Sequence, residues 1–429
     1  MKKEIIKHED KDVMLFLGRV TQEHLDDLEL FSKKQKRELK PALITSRARK
    51  IKSSIKKQLE FIIRLDAKRY DLLEKHLAPH KDRIAGIISR FESTMPLYGR
   101  LSEIFPYLRL PTRRSLDIAS DKVKMRKAFR KYDPKITPKF LAVHNSHQST
   151  LDKIEKRVGF PCVVKPANLS KSQLVTVCYY EEELEQHLSR ALRKIATMYR
   201  KSDVQVEPTV LVEQFMEGQM YSIDAYINSR GYMDFTPVIE IKTGKDIGHD
   251  DFFMYTQIVP SILDKKDELK ARTVVRKATH AVGLRSSTVH AELMKTTKGW
   301  KVIEIGARVG GFRDRLLGNA FGLNHTGNDF LVHLGKRPIS KKRVKKHVAF
   351  IKFYPRTTGK LTALRGIKKV SAMKAVIHMR QNKKVGDFCG LSRYGHPYVL
   401  GVTLATDSRS KLLGELRKVE KAIDIKTEK

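Results

Sequence analysis

The chain has 429 residues, 41% of them hydrophobic, and a formal net charge of +38 at pH 7. Its length suits two or three domains of roughly 100–200 residues each. No apolar run approaches the roughly 18–20 residues that span a bilayer, and Met1 to Asp12 lack the apolar centre of a signal peptide. The three cysteines, Cys162, Cys178 and Cys389, are far apart and without a CxxC pair, which argues against a disulfide frame or a zinc site. A reducing cytoplasm is the expected setting.

The charge is uneven. From Lys336 to Lys429 there are 25 Lys and Arg against 6 Asp and Glu, densest at Lys341-Lys342-Arg343-Val344-Lys345-Lys346. A solvated basic face is the plain reading, and a surface for nucleic acid or another polyanion is the alternative. An RNA-binding run would interleave aromatic residues with its cations. This run has none, although Phe350, Phe353 and Tyr354 follow in what reads as a buried strand.

In chain order, Val13 to Leu17 is a short apolar run closed by Gly18, followed by a helical stretch from about Thr21 to Leu39. Pro41 to Thr45, Phe61 to Ile63 and Ile84 to Ile88 are further strands with helical segments between them, the pattern of a parallel sheet. Met95 to Phe105 reads as a helix that ends before Leu110-Pro111-Thr112. A second organisation starts near Ser120 with a basic helix, Asp121 to Tyr132, and a strand from Phe140 to Val143. Val163 to Pro166 and Leu174 to Tyr179 form two strands around a polar loop, and Glu181 to Arg200 a long helix. Strands follow at Thr209 to Phe215, Ser222 to Ile227, Thr236 to Ile241, Val289 to Leu293 and Trp300 to Ile305. Helices then run to about Gly335, and a last α/β unit begins at His347.

Glu292 and Glu304 each interrupt an otherwise apolar strand of the last hairpin. A buried carboxylate is costly unless paired or metal-bound. Two on neighbouring strands and one face repel unless a cation lies between them, and Mg²⁺ takes one or two carboxylates and completes its shell with phosphate and water. Arg308, four residues beyond Glu304, offers a planar fork for a phosphoryl group. Gly310-Gly311 then lets backbone amides approach an anion. Solvated glutamates on a surface hairpin are the competing reading.

Lys165 ends a fully apolar strand before a loop containing Asn168, Ser170, Lys171 and Ser172. That arrangement suits a phosphate cradle, or a lysine snorkelling at a strand end. Leu211 to Gly218 is a strand leading into a linker, able to meet adenine through its backbone with Glu213 as acceptor for the amino group, or an ordinary core strand. The loop Gly248 to Phe253 with His249, and Arg313 after the glycine pair, are candidate substrate contacts; a capping loop and a helix-start charge cluster are the alternatives.

The succession Asp121-Lys122, Lys165-Pro166, Val212-Glu213, His290-Ala291-Glu292 and Glu304-Ile305-Gly306-Ala307-Arg308 resembles the ATP-grasp superfamily over roughly residues 120–335. EIGARVGG and KPANLSKS look most like the branch of the L-amino-acid ligases and carnosine synthase. The resemblance implies that Lys122, Lys165, Ser170 and Ser172 hold ATP phosphates and that Glu213 and the backbone of Phe215 receive adenine. It implies Glu292 and Glu304 as ligands of Mg²⁺, or of Mn²⁺ in its place, and Arg308 and Lys165 as catalytic groups. Two departures stand out: Lys171, Gln173 and Leu174 occupy positions where the family has small residues, and Gly306 stands where many relatives place an Asn.

The expected fold is α/β, with an α+β core. It comprises an N-terminal parallel-sheet domain (1–118), a two-lobed ATP-grasp core (119–338, mobile lobe about 135–215) and a basic C-terminal α/β unit (339–429). The expected function is ATP-dependent ligation of a small-molecule carboxylate to an amine or thiol through an acyl-phosphate. A bicarbonate-activating carboxylase would need a biotinyl acceptor domain, which the chain lacks. A non-catalytic nucleotide- or polyanion-binding scaffold is the rival from a different class.

Overall fold

The computed structural model describes residues 10–167, 173–201, 208–249, 251–340 and 343–428. Strands β1 (Val13–Leu17), β2 (Lys40–Thr45), β3 (Ile62–Arg64) and β4 (Ile84–Ser89) form a wholly parallel sheet in the order β3-β2-β1-β4. All five residues of β1 are buried, as a strand covered on both faces requires. Because side chains alternate, Met14 and Phe16 pack with Leu25, Leu28 and Phe31 of helix Gln22–Gln35. Val13, Leu15 and Leu17 pack on the other face with Tyr98 and Leu101 of helix Met95–Ile104.

A second, antiparallel sheet contains β5 (Phe140–Val143), β6 (Cys162–Pro166), β7 (Thr176–Cys178) and β8 (Val210–Gln214), ordered β5-β8-β6-β7. Helices Gln148–Arg157 and Glu181–Lys201 cover one face through Leu151, Ile154, Leu184 and Leu188. On the other, Phe140, Ala167 and Leu211 meet Val123 of helix Lys122–Tyr132.

The largest sheet is built from β9 (Gln219–Ile227), β10 (Met233–Phe235), β11 (Ile239–Thr243), β12 (Met254–Val259), β13 (Ser287–Thr296), β14 (Gly299–Gly306) and β15 (His347–Phe353). After β16 (Gly359–Arg365), β17 (Val376–Gln381) and β18 (Phe388–Cys389), strand β19 (Leu400–Thr406) returns to it. Its order is β14-β13-β9-β11-β12-β15-β19-β17, with β10 on β9, while β20 (Asp424–Glu428) joins β16 and β18 in a small separate sheet. The strands after His347 therefore extend the same sheet that holds the glutamate hairpin, through the antiparallel pairing of β15 with β12. Helix Lys265–Val282, helix Gln148–Arg157 and β12 are additions to the expected elements.

The α/β class holds, with the parallel sheet at the N-terminus and antiparallel sheets beyond it. Among the described residues no helix is long and apolar enough to cross a membrane. The three cysteines are free thiols and buried.

Candidate active site

Glu292 on β13 and Glu304 on β14 stand directly opposite each other in the antiparallel register, with a register shift just after Glu292. Their neighbours Ala291 and Ile305 point into the apolar core, so by strand alternation the carboxylates share the opposite face. Side chains so placed lie within about 4.5–5.5 Å at Cβ, and like charges there repel. Lys122 Nζ lies 3.6 Å from Glu304 Oε2. Burial pushes the Glu304 carboxyl up, but Lys122, Lys165 and Arg308 outweigh it and hold the group below its ordinary value. Among the described residues no group of three or more His, Cys, Asp or Glu is placed to hold a metal ion. A carboxylate pair of this kind could hold Mg²⁺ jointly with phosphate oxygens and water.

Lys165 is buried at the end of β6, and its Nζ lies 2.7 Å from Glu213 Oε2 on neighbouring β8. Arg126 donates to the same carboxylate from Nε at 2.5 Å and Nη2 at 3.1 Å, and from Nη2 to the carbonyl of Ile303 at 2.7 Å. Burial lowers the Lys165 pKa to about 8, with Glu213 opposing. For Glu213, burial raises the pKa, but Arg126 and Lys165 prevail and bring it to about 2. The Glu213 carboxylate, expected to meet the adenine amino group, is 2% exposed and shared between two cations. The amide of Phe215 is also engaged, donating to Pro161 O at 3.0 Å.

Arg126 is a residue that sequence reading missed. It lies three residues from both Val123 and Phe129 on the buried stripe of helix Lys122–Tyr132, and a cation on an apolar stripe is the signal that marks it. Lys122, in the first turn of that helix, donates its own amide to Ala167 O at 3.2 Å, tying the helix start to the end of β6. Ser170 and Ser172, with Asn168 and Lys171, lie outside the described residues, as do Lys341 and Lys342 of the basic run.

Strand β14 ends at Gly306, so Arg308 lies beyond it. Its Nε pairs at 2.7 Å with Oε1 of Glu92, just after β4. Burial lowers the Arg308 pKa, but Glu92, Glu304 and Glu292 together raise it. Glu92, also missed from sequence, places an N-terminal carboxylate beside Gly306, where an added Cβ would lie 2.8 Å from its Oε1.

Arg313 departs from the expected substrate contact. It is 1% exposed; Nη2 donates to Ser222 Oγ at 2.6 Å, Nη1 to Gln257, and Nε lies 3.8 Å from Asp224. Its guanidinium is thus turned into the protein interior. His249 meets Phe253 edge-on, and Phe253 packs on Tyr354. Among the described residues His249 makes no hydrogen bond or ring contact with Glu292, Glu304 or Arg308.

Leu174, where the family has a small residue, adopts the left-handed conformation at φ 56° and donates its amide to Arg393 O at 3.1 Å. The loop after β6 is therefore tied at its far end to the C-terminal strands' connecting turn.

Residues 158–314 match the family model of the ATP-grasp domain. An uncharacterised protein, y4rH, of Sinorhizobium fredii is 25% identical over 77% of this chain and 66% of its own length. Dapdiamide A synthase of Enterobacter agglomerans is 30% identical over 36% of this chain and 34% of its own. The chain thus spans just under two thirds of one curated relative and about a third of the other. The crystal structure of an L-amino acid ligase from Bacillus licheniformis superposes with a TM-score of 0.75 at 18% identity, covering 98% of this chain and 99% of that one. Domain match and fold agree: residues 158–314 carry an ATP-grasp domain.

Proposed function

We propose that the protein is a ligase that uses Mg-ATP to join a small-molecule carboxylate to an amine, or to a thiol, through an acyl-phosphate. The observation that carries this reading is the cross-strand register of Glu292 and Glu304, ringed by Lys122 and Arg308. The ATP-grasp match and the relatives named as amino-acid ligase and dapdiamide synthase support it. Mg²⁺, or Mn²⁺ in its place, when held by the two glutamates, supplies charge neutralisation at the phosphates.

The chain's own residues do the remainder. Lys122 and Lys165 neutralise phosphates from two sides, Ser170 and Ser172 add hydroxyl donors, and the Phe215 strand borders adenine. Arg308 exchanges Glu92 for the transferring phosphoryl group and spreads its charge over a planar fork. A carboxylate oxygen attacks the γ-phosphorus and ADP leaves; the nucleophile then attacks the acyl carbon, phosphate departs with the bonding pair, and the nucleophile's proton passes to the departing phosphate or to solvent. Residues 135–215 form the lobe that excludes water from the acyl-phosphate. We take residues 1–118, 119–338 and 339–429 as the three units, the last completing the large sheet of the second through β15, His249 as a residue bordering the substrate side, and the cytoplasm as the location.

The test is ADP and phosphate release from Mg-ATP against carboxylates paired with amines, wild type beside Glu304→Ala. Release that needs both partners and disappears in the variant supports the ligase. A protein that binds no ATP yet holds RNA in a salt-dependent way is the polyanion binder instead.

A further inference from the structure

Beneath the carboxylate pair lies a buried polar hub to which the ligase reading gives no role. Asp224, on β9 and 1% exposed, accepts from three separate elements. His290 Nδ1 on β13 lies 2.6 Å from Oδ1, His325 Nε2 on helix His325–His333 lies 2.8 Å from Oδ2, and the backbone N–H of Gly310 donates to Oδ2 at 2.8 Å. The Tyr226 hydroxyl closes on the other nitrogen of His325. On the far side of the first ring, His290 Nε2 lies 3.3 Å from Glu292 Oε1.

The packing leaves little slack. A Cβ on Gly310 would fall 2.5 Å from His290 Nδ1, while one on Gly311 would meet nothing within 4 Å. The first glycine of the pair therefore serves the hub, and the second faces open space. Replacing a buried ionic cluster by apolar residues of similar volume is often neutral or stabilising. What an aspartate adds is a rigid tie between two parts: the imidazole that supports Glu292, and the loop Arg308–Gly311.

We propose that Asp224 and His290 are positioning residues that hold the metal ligand Glu292 and the phosphoryl-binding Arg308 loop in fixed relation. The inference rests on the reading of Glu292 and Glu304 as metal ligands. His290 acts through Glu292 and touches no substrate. Asp224 acts through His290 on one side and through the Gly310 amide on the other. A merely structural polar core would change stability but leave the metal requirement alone.

The experiment measures Mn²⁺ binding to the full chain by electron paramagnetic resonance with a non-hydrolysable ATP analogue present. Wild type, His290→Gln, His290→Asn, Asp224→Asn and Glu304→Ala are compared, with thermal melting of each. We expect folded His290 variants to bind Mn²⁺ about 10- to 100-fold more weakly, the usual cost of losing a partner behind a metal ligand, and their ATP turnover to recover as Mg²⁺ is raised. Wild-type Mn²⁺ affinity in a folded His290 variant overturns the proposal, as does a loss of turnover that no Mg²⁺ restores. Glu304→Ala separates the two levels. If it leaves Mn²⁺ binding intact, the metal reading fails and takes this inference with it; if it abolishes binding while the His290 variants match wild type, only this inference fails.

Discussion

Glu213 and Glu304 are strand carboxylates under the influence of the same lysine, Lys165, yet they are satisfied in opposite ways. Glu213 is enclosed by Arg126 and Lys165, so one anion is shared by two cations within hydrogen-bonding distance and the cluster keeps one positive charge in excess. Glu304 faces a second carboxylate across the sheet, and the nearest cation it pairs with, Lys122, stands at 3.6 Å. In the first cluster folding pairs the carboxylate fully and leaves one cation over, as the proposed phosphate role of Lys165 requires; in the second, the proposed function assigns the balancing positive charge to a bound metal.

Substitutions should separate the two clusters. The largest effect is expected for Glu304→Ala, with ATP turnover reduced about a thousandfold or more through loss of charge stabilisation at the phosphates. Its melting temperature without metal should fall only modestly, because relief of the repulsion from Glu292 is set against loss of attraction to Lys122, Lys165 and Arg308. Glu213→Gln should do the reverse. It leaves Arg126 and Lys165 buried without their anion, and urea unfolding should show a loss of about 3–5 kcal/mol. Equal destabilisation of the two variants would break the contrast.

Gly310→Ala should cost about 1–3 kcal/mol through overpacking against His290 and Arg313, whereas Gly311→Ala, with open space beside it, should fold as wild type. Thermal melting of both variants checks this.

The pH profiles should differ as well. Glu213, held at about 2 against an ordinary 4.5, gives stability that is fully present above pH 4.5 and is lost as pH falls through about 2. Glu213→Gln should lose that acid limb in urea titrations. Lys165, held at about 8 against an ordinary 10.5, works in the other direction. Its charged form is penalised by folding below pH 8, and the penalty is relieved as pH rises from 8 to 10.5. For function, kcat/KM for Mg-ATP should fall above about pH 8 as the ammonium is lost, and a flat profile would remove Lys165 from phosphate binding.

Much of this was legible in the sequence, and the exceptions have physical causes. The strands around Val13, Leu43 and Ile87 showed as apolar runs because both faces of a parallel sheet are covered. The glutamate hairpin showed because acidic residues interrupted apolar strands. Helix Lys265–Val282 was missed because its buried stripe is thin, Ala271, Val275, Ala278 and Val282, although Asp264 caps its start and Gly283 its end. The C-terminal strands read as a unit of their own, since nothing in a local pattern shows that β15 pairs with β12, whose own strand character was overlooked.

At the site, residue type was readable and pairing was not. Glu213 looked like an acceptor because its partner Arg126 is 87 residues away in sequence. Arg313 read as a candidate substrate contact or a helix-start charge, and its inward partners Ser222 and Gln257 gave no local signal because they are contributed by β9 and β12. Glu92 carried no signal, since a lone glutamate after a strand is ordinary until Arg308 is placed beside it.

Whether the glutamate pair holds a metal at the phosphates is tested most directly by calorimetry of ATP binding with and without Mg²⁺, in wild type and in the Glu292→Ala/Glu304→Ala double variant. Binding should be tight and dependent on Mg²⁺ in wild type, and should lose that dependence in the double variant. Binding that is indifferent to Mg²⁺ in both proteins, or absent from both, would contradict that reading.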